Sequence, residues 1–569
     1  MIYTFNMQYK WTVLTNTMMG ALMASINMNI VMVTLPTIFR GLGINPFSSG
    51  EFTYLLWILM GYSIVLATIL VSFGKISDIF GRVRMYTWGF IIFTIASIIL
   101  SVVPSNSGNF GAFLLIIFRM VQAVGGGFLM VNSTALITDA FPTNERGKAL
   151  GINQIAFIVG SLLGLILGGF LASYDWHLVF IVNIPFAIAG TLWSVFKLKE
   201  KEMKHETKLD ITGNITLAAS LILISLGFTY TLEPYGNSQM GWTDPWVITS
   251  FVIGIIFLFV FIYVEKHTEH PMFNLSLFKI KPFTYGNLSL LFSGLGRGAV
   301  MFLVIIWLQG IYLPLHGFSY TETPFWAGIY MLPMLFGMII FGPIGGVLTD
   351  IYGARIFATA GMAITTVSLF LLTLLPYNFN IWEFEIILFL VGVGGGLFAS
   401  PNTTAIMNAV SSKDRATANG MRMTINNIAS TISMAVFFSI AITVFTQNLP
   451  SQIMKYSITN GIPENIAYML SQIPPSGLLF GAFLGVNPIA GLPSNIVSII
   501  PPNALKVIES PTFLPNILGP SFMIGLDYSI YIAIALSILA TIFSALMGRR
   551  YVHEEHFESL LQKTDSNEK

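Results

Sequence analysis

Two arginines, Arg119 and Arg297, stand in the middle of long apolar stretches of this 569-residue chain. A guanidinium at the centre of a bilayer costs at least about 2.5 to 3.5 kcal/mol, so each must meet polar partners or lie beside a hydrated cavity. Asn27, Gln122 and Gln309 occupy similar stretches. Amides bind a solute by hydrogen bonds but exchange no proton. No grouping of residues forms a catalytic pair, so the chain is expected not to be an enzyme. There is no cysteine, which removes thiol catalysis, disulfides, Cys-ligated zinc and iron–sulfur clusters. His177, His205, His267, His270, His316, His553 and His556 fall in loops or tails, and only His267 and His270 share a spacing compatible with a metal. No cofactor or metal is expected, and no ATP-binding motif is present.

These residues need a lipid scaffold. The chain is 54% hydrophobic and 9% charged with mean hydropathy +0.76, against roughly 25% charged for a soluble domain. A net charge of +1 lacks the basic surface that a nucleic-acid partner requires. The first apolar stretch, 11–38, is longer than the roughly 7 to 15 residues of a cleavable signal core and should remain as a span. A ruler of about 20 apolar residues per helix marks spans at 11–38, 52–74, 85–104, 110–138, 149–172, 178–197, 212–232, 246–264, 284–312, 325–348, 355–376, 384–409, 418–446 and 525–548. Fourteen continuous helices are therefore expected, since lipid leaves backbone groups no other partner.

Their connections sort by charge. Lys75, Arg82, Arg84, Arg146, Lys148, the cluster from Lys197 to Lys208, Lys266, Lys279, Lys281, Arg355, Lys413, Arg415, Arg549 and Arg550 fall on one side, and Arg40, Lys455 and Lys506 on the other. The excess of basic residues predicts that the first side, with both termini, is cytoplasmic. Two loops recur: Gly74, Asp78, Gly81 and Arg82 after span 2 match Gly346, Asp350, Gly353 and Arg355 after span 10. Gly125 to Gly127 and the stretch ending at Gly151 return in the same order as Gly394 to Gly396 and the stretch ending at Gly420. The chain thus reads as a duplication of a six-helix unit in one orientation, which places a solute site at the repeat interface. The units are 1–200 and 276–548, with two inserted helices and their flanks at 201–275, a long external loop at 447–523 and a cytoplasmic tail at 549–569.

On these motifs the chain resembles the major facilitator superfamily, in its fourteen-helix drug:proton antiporter branch. The resemblance implies an all-α polytopic fold of two parallel six-helix halves. It also implies that Asp78 and Arg82, with Asp350 in the second copy, hold a cytoplasmic gate. Arg119, Gln122 and Gly125 resemble the branch's Arg-x-x-Gln-Gly motif, with Ala123 in place of one glycine, and the resemblance gives Arg119 a part in proton coupling; a carbonyl-paired structural arginine is the alternative. Gly160, Gly164 and Gly168 resemble the antiporter motif of span 5, although Leu165 stands where the family has proline. Glycines spaced by four share one helix face and admit a close neighbour. Trp57, Tyr62, the stretch from Trp176 to Pro185 and Gln309 also match the branch.

The chain departs from the branch at Asn27, where the family carries an aspartate. No Asp or Glu occupies the middle third of any span, and Glu385 and Asp527 are the better substitutes for a coupling carboxylate. Two arginines without a midplane carboxylate predict an electropositive cavity around Asn27, Gln122, Arg297 and Gln309, suited to an anionic or neutral amphipathic solute. Met18, Met19, Met23, Met28 and Met32 crowd span 1 and serve either core packing or a pliable site. The loop 447–523 reads either as short helices on the outer leaflet or capping the cavity, or as an extra span. The expectation is a monomeric, multi-pass plasma-membrane transporter, an exporter of drugs or other amphipathic small molecules coupled to protons or another ion. A uniporter or importer of a small metabolite, or a non-transporting sensor on the same fold, is the alternative.

Overall fold

The computed structural model describes residues 7–45, 51–200, 210–233, 235–236, 238, 240–269, 271, 273–411, 415–486 and 500–548. His270, Lys413, residues 487–499 and the tail 549–569 lie outside the described residues. The chain is all-helical apart from one isolated bridge between Tyr235 and Ser238 among the described residues. Among the described residues thirteen helices are long and apolar enough to cross a membrane. Span 2, Glu51–Phe80 with its apolar stretch Leu56–Leu70, makes the fourteenth.

Spans 1 to 6 are Met7–Leu42, Glu51–Phe80, Arg82–Leu100, Gly108–Ala140, Thr143–Ala172 and Leu178–Lys197. The inserted pair, spans 7 and 8, is Ile211–Tyr230 and Pro245–His267. Spans 9 to 12 are Lys281–Leu315, Thr323–Tyr352 with a break at Met331, Ala354–Leu372 and Ile381–Asn408, and spans 13 and 14 are Arg415–Thr459 and Phe513–Leu546. The duplicated glycines have one geometric task. Gly81 at φ +106° and Gly353 at φ +89° each form a single-residue turn between two helices, a conformation that a Cβ disfavours.

The packing repeats as the sequence does. In the first half span 1 packs on 5, 2 and 3 on 4, and 3 on 6; in the second, 9 packs on 13, 10 and 11 on 12, and 11 on 14. Spans 2 with 13 and 5 with 10 join the halves, while spans 7 and 8 pack on each other and span 7 packs against spans 2 and 13. Outward faces are apolar: Ile255, Phe259 and Tyr263 of span 8, Ile188 and Phe196 of span 6, and Val367 and Phe370 of span 11 are exposed. Such a belt is stable against lipid tails, not water.

The interior is unequal between the two ends. Away from the basic loops, one continuous core joins the halves, from Phe39, Leu59 and Trp176 to Phe302, Trp307 and Phe438. Toward the basic loops the apolar clusters are smaller: one lies in the first half around Tyr86 and Phe90, another in the second around Met362 and Phe398, a third joins Ala67 of span 2 and the inserted pair to spans 9, 12 and 13, and a fourth sets Met423 of span 13 against Tyr62 and Leu66 of span 2.

Spans 13 and 14 are longer than hydropathy predicts, because their outer turns pack against the loop between them rather than against lipid. Among the described residues that loop holds three short helices, Glu464–Ser471, Pro475–Leu484 and Pro502–Ile508. Of the two readings of 447–523, capping describes the structure, but not as an amphipathic surface helix. Every residue from Gly477 to Leu484 is buried, and the helix is wedged among spans 1, 2, 9, 13 and 14 of both halves. Phe480 meets Phe39 edge-on at 5.3 Å.

Candidate functional site

Span 4 carries Arg119 and Gln122 one helical turn apart, so both reach the same neighbour. That neighbour is span 1. Asn27 Nδ2 donates to Gln122 Oε1 at 3.0 Å, and Gln122 Nε2 donates to Ser97 Oγ at 2.9 Å. The Arg119 guanidinium donates to Asn27 Oδ1 and Gln122 Oε1, both at 3.4 Å, and to the Ile58 carbonyl at 3.3 Å. Its Cζ lies 4.8 Å from the centroid of the Tyr62 ring, a cation–π arrangement. Arg119 is 1% exposed, and every partner is neutral. Three residues expected from the sequence thus converge, and the network answers how this arginine is accommodated.

Arg297 lies in the other half. Its Nη1 is 3.3 Å from where Gly395 of span 12 would carry a Cβ, so the glycine leaves room for the guanidinium. Gln309 is placed elsewhere again. It is fully buried in a widened π turn, Leu308–Tyr312, at the joined end of span 9. Its Nε2 donates to the Val33 carbonyl of span 1 at 3.0 Å, a tie between halves.

The loop after span 2 is anchored within its own half. Arg82 Nη1 meets Asp139 Oδ2 of span 4 at 2.7 Å, and Glu200 accepts the backbone N–H of Val83 at 3.2 Å and of Arg84 at 2.8 Å. The side chains of Asp78 and Asp350 lie outside the described residues. A cavity of about 940 Å³ opens beneath the matching loop of the second half, beside Tyr352, Arg355 and Asn408, away from the buried arginines. Gly160, Gly164 and Gly168 face span 1: a Cβ on the first two would lie 2.5 and 2.7 Å from the carbonyl oxygens of Leu22 and Ile26, and on the third 3.0 Å from the Ile30 side chain. Leu165, in the proline's place, presents its backbone to Gly328 of span 10.

One polar face was not anticipated. Asn419, Arg422, Met423 and Asn426 of span 13 share a helix face by their spacing, and Asn419 Oδ1 accepts from Arg422 Nε and Nη2, both at 3.2 Å. Met423 packs with Tyr62, Leu66 and Ala123 of the first half, so this face borders the gap between halves. The signal was present in the sequence, since Arg422 falls inside the stretch 418–446. A shift of 269 to 272 residues, which carries Gly74 to Gly346 and Gly151 to Gly420, also carries Asn27 to Arg297 and Asn153 to Arg422. Where the first half has neutral asparagines, the second has arginines.

Among the described residues no group of three or more His, Asp or Glu side chains could hold a metal ion. The geometry is that of a polar midplane between two pseudo-equivalent bundles. Comparison with known proteins agrees. The family model described as "Major Facilitator Superfamily" matches residues 17–311 and 287–450. The chain is 30% identical over 438 residues to the riboflavin transporter RibZ of Clostridioides difficile (strain 630), covering 76% of this chain and 88% of that protein. It is 28% identical to multidrug resistance protein 3 of Bacillus subtilis (strain 168), covering 79% and 83%. In fold it is similar to a bacterial homolog of the human lysosomal transporter Spinster, solved inward-facing and unoccupied, with TM-score 0.55, 14% identity and 96% and 99% of the two chains covered. With two like-oriented six-helix halves, an inserted pair and a polar midplane, this multi-pass chain belongs to the major facilitator superfamily of membrane transporters.

Proposed function

We propose that this protein exports amphipathic small molecules from the cytoplasm by alternating access, driven by a proton gradient, and acts as a monomer in the plasma membrane. The observation that carries the reading is the unequal core: away from the basic loops the halves share one extensive apolar core, whereas toward them each half has a core of its own and only smaller clusters along spans 2 and 13 cross between them. With the basic side cytoplasmic, the molecule is closed outside and poised to load from within. Residues 1–200 and 276–548 rock as two bodies about the central site, the inserted segment 201–275 rides on spans 2 and 13, and the tail 549–569 stays cytoplasmic. Asp78, Arg82 and Asp350 act at the cytoplasmic gate. Arg119 couples the network of span 4 to span 1, Asn27 and Gln122 border the solute path with Arg297, and Gln309 fastens the outer closure. The glycines of span 5 maintain the seam with span 1.

Export is favoured by the likeness to bacterial proteins named for multidrug resistance. Inside-out vesicles given an acidic lumen should accumulate a fluorescent amphipathic dye, and collapse of the gradient should stop it. Dye uptake that ignores the gradient would sink proton coupling. The second reading is an importer or uniporter of a small metabolite, favoured by the neutral Asn27 and by the riboflavin transporter among the relatives. In that case right-side-out vesicles accumulate solute down its own gradient without a pH difference.

A further inference from the structure

We infer that the solute carried by the central site is an organic anion with an apolar body, held by Arg297 and Arg422 of the second half. The inference rests on the transport reading above and names its substrate class.

The three intramembrane arginines are not equivalent. Arg119 has its donors directed to three oxygens of neighbouring residues and its face against Tyr62, and it is sealed at 1% exposure. It has no open side to offer a ligand. Arg297 and Arg422 are only partly covered. Asn419, a neutral amide, is the hydrogen-bond partner of Arg422, and among the described residues neither arginine meets a carboxylate within ion-pair distance. Arg422, beside Met423, thus borders the gap, Arg297 lies against span 12 of the second half, and among the described residues no carboxylate offsets either charge. A desolvated guanidinium without a counter-charge is strongly disfavoured, and its planar fork matches the two oxygens of a carboxylate, sulfonate or phosphate.

The arginines lie on one path. Gly294 packs on Ala429 and Gly298 on Ser433, which aligns spans 9 and 13 side by side. Arg297 is then level with the residues just before Ser433, and Arg422 lies roughly 15 Å nearer the basic face, at about 1.5 Å per residue. A solute entering from that face meets Arg422 first and Arg297 deeper. Beside Arg422, Met423 and its neighbours Tyr62 and Leu66 supply an apolar wall, and flexible thioethers adapt to varied shapes. A lipophilic cation would meet the same two charges with, among the described residues, no carboxylate to offset them.

The test uses the full chain in lipid nanodiscs and two dyes with one xanthene core, the anion 5-carboxyfluorescein and the cation rhodamine 6G, titrated by fluorescence anisotropy. Saturable binding of the anion is expected, weakened about tenfold or more in Arg422→Gln and in Arg297→Gln, the scale of one lost charged hydrogen bond. Arg422→Lys, which keeps the charge but not the fork, should fall between. Lys279→Gln, outside the spans, should match the wild type, and elution of every variant as a monodisperse nanodisc guards against misfolding. Tighter binding of rhodamine 6G, anion binding indifferent to both Gln variants, or no saturable anion binding would each overturn the inference. Flux in sealed vesicles separates the two readings. Export of rhodamine 6G without carboxyfluorescein keeps the transporter and sinks the anion, whereas anion binding that depends on both arginines, without flux under any gradient, supports the anion site and sinks the transporter.

Discussion

The closed end of the molecule rests on a contact too tight for a single methyl group. Gly169 of span 5 faces span 10 of the other half, and a Cβ there would lie 2.1 Å from the Phe325 Cα and 2.5 Å from its backbone nitrogen. Backbone cannot rotate aside as a side chain does. Carbon atoms pack at about 3.5 to 4.0 Å, so Gly169→Ala requires the two helices to part by roughly 1.4 Å or more. Overpacking of this kind costs about 1 to 3 kcal/mol. The strain falls across the halves, so only the state closed at this end bears it. The equilibrium should move toward the open state by roughly 5- to 150-fold, each 1.4 kcal/mol being a factor of ten. Gly164→Ala is the control, since its Cβ would press on Ile26 of span 1 within the same half, 2.7 Å from the carbonyl oxygen. It should lower the thermal midpoint without shifting the balance of states. The chain has no cysteine, so Leu35→Cys, a site with 0% exposure in the shared core, gives a clean reporter. Labelling from outside by a membrane-impermeant maleimide should accelerate in the Gly169→Ala background and not in Gly164→Ala. Equal labelling in both backgrounds, with equal loss of stability, would refute the reasoning.

Three further outcomes follow from single contacts. Asn27→Ala removes a bond to Gln122 and one from Arg119; leaving such groups unpaired costs about 1 to 3 kcal/mol, and an unchanged thermal midpoint would show that the network is not structural. Asp527 of span 14 has a buried Oδ1 without a described partner; if it is the coupling carboxylate, Asp527→Asn should abolish dye accumulation driven by a pH gradient while solute exchange continues, and normal accumulation would remove it from consideration. Gly485, which ends the wedged helix at φ +71° against Tyr320, pays about 1 to 2 kcal/mol if replaced by alanine in that backbone conformation; Gly485→Ala should loosen the helix and speed labelling of Phe480→Cys from outside, and an unaltered rate would mean that the cap is held by other contacts.

The spans and the repeat were legible because lipid imposes both. Backbone satisfaction demands long apolar runs, and a turn at positive φ demands glycine, so Gly81 and Gly353 mark the duplication without any knowledge of packing. The cap was less legible. Pro475–Leu484 is apolar but only 10 residues long, half a span, and hydropathy cannot distinguish a buried plug from a loop. Its boundaries were nevertheless written in Pro475 at the first turn and Gly485 after the last, the ordinary start and stop of a helix. Span 14 starts well before residue 525 for a related reason, since its first turns from Phe513 pack on protein, not lipid. The network of Asn27, Gln122 and Arg119 was legible as a set of residues needing partners, though nothing in the sequence tied Ser97 to it. The π turn that carries Gln309 toward Val33 has no signature in the sequence.

The asymmetry between the halves explains why an anion site could arise in only one of them. In the first half the small residues of the key seam lie on span 5, where Gly160 and Gly164 receive Leu22, Ser25 and Ile26 of span 1. In the second half they have moved to the partner helix: Gly294 and Gly298 of span 9 receive Ala429 and Ser433 of span 13. Both seams stay close, so the repeat keeps its geometry. The exchange, however, surrounds Arg297 with Gly296 and Gly298, which gives a long side chain room beside its own backbone. It also leaves span 13 free of glycine along the seam, able to carry Arg422 and two asparagines on the face toward the gap. In the first half the equivalent positions hold Asn27 and Asn153, and the single charge, Arg119, sits on span 4 and is enclosed by its own bundle. One half therefore closes its charge inside the fold, while the other presents its charge to whatever enters between them.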